Sequence, residues 1–220
     1  MTKIFFVLLL FSAATAMADC VSEVIDLKGL DWRTGATTPI LDRLKLHTES
    51  AKRRVTIHYT GVKKNPKQTI SKKLNSLFRF STQEKTEFKN ALWGDIPYHY
   101  YIDMDGILAE TRDPQFQPDT NTRYIPDGHI TVVVEGDDTD DLSEAQRAKL
   151  FTLMERLQDR YQIGANSIGV HKDFANTSCP GSAVESAVRE YVKRKKNYRP
   201  KECAGEPEDV SGSMGKNVEP

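Results

Sequence analysis

The stretch Gly169-Val170-His171-Lys172-Asp173-Phe174-Ala175-Asn176-Thr177-Ser178-Cys179-Pro180-Gly181 decides how the rest of the chain is read. The apolar residues Ile168 to Val170 predict a short strand, with His171 at its end. Cys179 follows with seven residues between and stands before Pro180-Gly181, where a helix can start. Imidazole and thiolate are both donors that zinc accepts. Two donors do not hold a catalytic metal, so a third is expected upstream. The β-branched run Val55-Thr56-Ile57-His58-Tyr59-Thr60 supplies it, with His58 able to face a cleft at the strand's end. Three protein ligands, His58, His171 and Cys179, leave one tetrahedral position open, which marks a catalytic rather than a structural zinc site.

Three motifs in order carry a resemblance: Ile57-His58-Tyr59-Thr60, the pair Tyr98-His99 before a hairpin, and His171 to Cys179-Pro180-Gly181. Over roughly residues 53–192 the chain resembles the zinc-dependent N-acetylmuramoyl-L-alanine amidases, a family that includes phage lysozyme-type amidases and peptidoglycan recognition proteins. The resemblance implies hydrolysis of the amide between N-acetylmuramic acid and L-alanine of peptidoglycan. It also implies Zn2+ on His58, His171 and Cys179. Tyr98 matches the family's catalytic tyrosine by its place before His99. Thr177 falls where some members carry lysine, and a threonine gives the oxyanion a neutral contact, about half as strong as a charge-assisted one. Recognition proteins with amidase activity also carry threonine there. A further branch uses an acidic residue after its inner strand and Asp as third ligand; this chain has Val133 and Cys179, so it looks closer to the tyrosine branch.

The chain has 220 residues, 38% hydrophobic and 28% charged, which fits one soluble globular domain with extensions. Residues 1–18 read as a secretory signal: Lys3, then an apolar run from Ile4 to Phe11, then small residues at Ala16 and Ala18. That run is too short to span a bilayer. Asp19 before Cys20 speaks against lipid modification. Secretion across the inner membrane is expected, to the periplasm or outside the cell. Basic and acidic residues number 31 each, and Lys3 alone of them belongs to the leader, so nucleic acid is an unsuitable partner. Export lets Cys20 pair with Cys203 and leaves Cys179 for metal, although the two outer cysteines could also stay unpaired. Residues 19–203 form the expected domain, and 204–220, rich in Gly, Glu, Pro and Ser, the expected disordered tail. A monomer is expected.

Expected strands cover residues 53–60, 96–102, 107–111, 129–135 and 167–171, with a turn at Asp103-Met104-Asp105-Gly106. Strand alternation puts Tyr98, Tyr100 and Ile102 on one face and His99 and Tyr101 on the other. Expected helices cover 69–80, 82–92, 182–195 and a segment opened by a Ser143/Gln146 capping box, with Leu150, Phe151, Met154 and Leu157 on one face. Ile40, Leu41, Leu44 and Leu46 suggest one or two helical turns. The fold class is α/β: a mixed central sheet of about five strands flanked by helices. The strand order is implied only by the resemblance.

His47 reads as a surface residue and His129 as lining the substrate cleft at best. The acidic run 135–141 lacks the ligand spacing of an EF-hand and reads as a loop. Asn176-Thr177-Ser178 fits a glycosylation acceptor, but a glycan there would cover the metal site. Two other functions stay open at this point. One is a peptidoglycan receptor of the same fold without catalysis. The other is a metal-free hydrolase with Cys179 as nucleophile and His58 or His171 as base.

Overall fold

The structure, a computed structural model, describes residues 29–48, 52–83 and 93–200. The leader, Cys20, Cys203, the tail and most of the helix expected at 82–92 lie outside the described residues. Strands β1 (Arg54–Tyr59), β2 (Tyr100–Ile102), β3 (Leu108–Glu110), β4 (His129–Val134) and β5 (Ile168–Val170) form one sheet in the order β3-β2-β4-β1-β5. β4 and β5 run parallel to β1, and β2 runs parallel to β4; β3 returns antiparallel to β2. Helices α1 (Ile70–Thr82), α2 (Glu144–Tyr161) and α3 (Gly181–Arg194) cover its faces. This is the mixed five-stranded α/β sheet that the sequence predicts.

The two faces of the sheet differ in chemistry, and that difference places the site. On one face Val55, Ile57, Tyr100, Ile102, Ile130, Val132 and Val134 pack against Leu150, Met154 and Leu157 of α2 and Val184 and Val188 of α3. The other face alternates polar and apolar. Tyr101 and Val133 bury against Ile70, Leu74 and Phe78 of α1. Thr56 pairs with Thr131 in the β1–β4 register, and His58 with Val133, so these residues share that second face. α1 covers its apolar part, and the histidines lie beyond.

Local signals explain the elements. Thr69 caps α1 by accepting the Lys72 N–H. Ser143 Oγ accepts the Gln146 N–H at 3.1 Å, and Gln146 Oε1 accepts the Ser143 N–H at 3.2 Å, completing the expected capping box of α2. Gly106 closes the β2–β3 hairpin at φ +76, a conformation that glycine adopts without strain. Beyond β4, buried Glu135 accepts from Lys73 of α1 at 2.8 Å and from the Met104 N–H at 2.9 Å, tying helix, hairpin and sheet together.

Several expectations need correction. The strand expected over 96–102 forms a ladder only from Tyr100, so alternation does not reach Tyr98. Its ring lies 5.1 Å from that of His58 and packs with Tyr101's cluster, opposite Tyr100 and Ile102. His47 is no surface residue: its side chain is 2% exposed and its Nδ1 lies 2.8 Å from Asp127. The backbone around it pairs with a distant loop, the Gln117 N–H donating to Lys45 O at 2.7 Å. The helical turn expected at 40–46 shrinks to the 3-10 turn Leu41–Arg43.

His99 gives the fold a pH dependence. Its Nδ1 accepts the Thr131 N–H at 2.9 Å, and its Nε2–H donates to Phe116 O at 2.9 Å, so the buried neutral ring has both nitrogens satisfied. Burial, followed by the nearby Arg112 charge, pushes its pKa down to about 3 against the hydrogen bond to Phe116. A folded pKa below the unfolded value means stability that is intact above pH ~6.5 and lost progressively as pH falls toward 3. From pH 7.5 to pH 5 this residue is expected to cost about 2 kcal/mol of unfolding free energy. Urea titrations of parent and His99→Gln check it. The variant's slope between those pH values should be flatter by that amount, and an equal slope counts against the assignment.

Candidate metal centre

His58, His171 and Cys179 come together where three elements end. β1 delivers His58 on the polar face of the sheet. β5 stops at Val170, and His171 opens the 3-10 turn His171–Asp173. Asp173 holds that turn by accepting the Val170 N–H at 2.9 Å and pairing with Arg189 of α3 at 2.9 Å. The Lys172 N–H then donates to Cys179 O at 3.1 Å, folding the loop so that its histidine and its cysteine face the same point. Gly181 begins α3 at φ +77, a left-handed conformation that favours glycine.

The three donor atoms lie within 4.8 Å of one another, and all three residues are buried. Cys179 Sγ lies 3.8 Å from His58 Nδ1 and accepts the Tyr59 N–H at 3.4 Å. The rings of His58 and His171 are 4.4 Å apart. Burial pushes the thiol up to about 12, against the Tyr59 hydrogen bond and the Lys172 charge. Burial likewise drives His58 well below the ordinary imidazole value, helped by His171 and His129. Burial disfavours the charged forms of these imidazole and thiol donors, a set whose electrostatics improve when a cation enters. His58 Nε2 is buried with no hydrogen-bond partner. The residues therefore fit zinc, whose sites combine His and Cys.

Around the donors stand the other expected residues and two that the sequence reading missed. Tyr98 stands against His58, with ring centroids 5.1 Å apart. Thr177 Oγ1 accepts the Cys179 N–H at 3.2 Å, so its hydroxyl proton stays available for donation. His129 is 6% exposed and its Nδ1 lies 2.8 Å from Thr56 Oγ1; it forms wall beneath Tyr124 and Phe174. The missed residues are Thr122 and Tyr124, in the loop between β3 and β4. Thr122 Oγ1 lies 2.7 Å from His171 Nε2 and 2.7 Å from Thr120 Oγ1, a hydroxyl pair that fixes the imidazole's orientation. Tyr124's ring lies 5.5 Å from that of His171. No periodicity or motif marks either residue in the sequence.

The family model described as N-acetylmuramoyl-L-alanine amidase matches residues 49–182, more than half of the chain. The chain belongs to that family. Solved structures with the same fold include Drosophila peptidoglycan recognition protein SD, with 20% identity, 73% of this chain and 90% of that one covered, and a TM-score of 0.59. The N-acetylmuramoyl-L-alanine amidase LysC from Clostridium intestinale URNW is similar at 22% identity, 70% and 93% coverage, and a TM-score of 0.51. A third is the ectodomain complex of the recognition proteins LCa and LCx with tracheal cytotoxin bound, at 18% identity, 73% and 92% coverage, and a TM-score of 0.55. At these identities the likeness is one of fold. Among curated proteins none matches.

Proposed function

We propose that this chain is a zinc-dependent amidase that hydrolyses the bond between N-acetylmuramic acid and L-alanine in peptidoglycan. The observation that carries the reading is the convergence of His58, His171 and Cys179 beside the Tyr98 phenol in a chain of the amidase family. Zinc at such a site supplies Lewis acidity and a nucleophile at neutral pH. The protein's part is orientation and charge stabilisation. The Tyr59 N–H steadies the Cys179 sulfur, and Thr122 sets the His171 ring. Burial, and after it the Cys179 charge, raise the Tyr98 pKa above the ordinary phenol value, so Tyr98 stays a protonated donor throughout the working range. It donates to the oxygen on which negative charge develops as the amide carbonyl is attacked. Thr177 adds a neutral donor where other members carry lysine.

Export by the leader, action in the periplasm or outside the cell, a Cys20–Cys203 bridge and a monomeric state belong to the same reading. Among the described residues no helix is long and apolar enough to cross a membrane.

A receptor role is the second reading, favoured by the fold's likeness to a recognition-protein complex with tracheal cytotoxin bound. End-group analysis of purified sacculi separates the two. The amidase reading expects new L-alanine amino termini that accumulate with time and stop on adding a strong chelator. Sacculi bound without release of amino termini would make the chain a receptor.

A further inference from the structure

Tyr124 stands out among the residues that the sequence reading did not mark. Its ring is held on three sides, by His171 at 5.5 Å, His129 at 5.4 Å and the stacked Phe174 at 6.0 Å. This packing fixes the ring, and with it the direction of the hydroxyl. Yet that hydroxyl is buried without a hydrogen-bond partner. Buried polar groups are nearly always paired, so an orphan in a well-packed pocket signals a partner that arrives with a ligand.

The ring contacts place Tyr124 at the metal centre: it packs on His171, one of the three candidate ligands, as Tyr98 packs on His58. Tyr98 arrives along His58 and Tyr124 along His171, so each candidate histidine ligand is flanked by one tyrosine.

We infer that Tyr124 is a second hydroxyl donor of this site, hydrogen-bonding the scissile carbonyl oxygen of the bound substrate alongside Tyr98. The inference rests on the amidase reading and extends it to a residue no motif marks. The pair acts as a two-phenol clamp: both hydroxyls meet one oxygen as it gains charge, each keeping its own proton. The same loop serves two purposes, because Thr122 orients His171 while the Tyr124 ring packs against it.

Tyr124→Phe tests this, since it keeps the ring that packs on His171 and Phe174 and removes only the hydroxyl. A hydroxyl without a partner in the free protein contributes nothing to folding, so the variant should melt at the parent's temperature or above it. Zinc content should be unchanged. Turnover on sacculi should fall roughly 10- to 100-fold, with the larger change in kcat rather than KM, as loss of a transition-state contact requires. Turnover within twofold of an active parent would overturn the inference and leave the amidase reading intact. A melting temperature lowered by several degrees would also overturn it, by showing that the hydroxyl has a structural partner. A parent that releases no amino termini removes both the reading and the inference.

Discussion

Cys179→Ala is expected to lose both zinc and hydrolysis while keeping its fold. Cys179 is buried but belongs to neither of the hydrophobic clusters that hold the helices to the sheet, so the loss of its sulfur is felt locally, at the Tyr59 N–H that it accepts. What it removes is the one thiolate in a three-donor set with two imidazoles. Outer partners of metal ligands typically cost 10- to 100-fold in affinity or activity when lost, and a direct ligand costs more. His58→Ala should behave in the same way. Elemental analysis with circular dichroism and sacculus digestion checks the pair. A Cys179→Ala protein that keeps one zinc per chain and still releases L-alanine amino termini would sink the assignment. A parent fully active after its metal is stripped would instead point to Cys179 as a nucleophile.

The second large effect is expected at Tyr98. Tyr98→Phe should keep full zinc and melt within a few degrees of the parent, because the ring still packs against the α1-facing cluster. Its turnover should fall at least tenfold and on the order of a hundredfold, about 3 kcal/mol, the typical cost of one oxyanion donor. Packing alone predicts near-normal activity. Turnover within twofold of the parent would therefore return Tyr98 to the core and leave Thr177 and the metal to stabilise the oxyanion. Against Tyr124→Phe the comparison is informative, since each substitution removes one hydroxyl from a ring packed on a different candidate histidine ligand.

The parts of this account that were legible in the sequence are those with local signals. β1 is a β-branched run whose alternation sends Val55 and Ile57 to one face and Thr56 and His58 to the other, and the register against β4 follows that division. The spacing from His171 to Cys179 matches a loop that closes on itself through the Lys172–Cys179 backbone hydrogen bond. The illegible parts depend on contacts across long separations. Tyr98 leaves the face of Tyr100 and Ile102 because the ladder starts two residues later. His47 carries no local sign of burial because its partners, Asp127 and His99, lie far along the chain. Thr122 and Tyr124 lie in a loop without period, where only the folded chain reveals that both meet His171.

X-ray absorption at the zinc edge of the purified, zinc-loaded protein reports the donor atoms themselves rather than a consequence of them. One sulfur at about 2.3 Å and two imidazole nitrogens at about 2.0–2.1 Å are expected around the metal. A shell of nitrogen and oxygen alone, with no sulfur, would contradict this donor set.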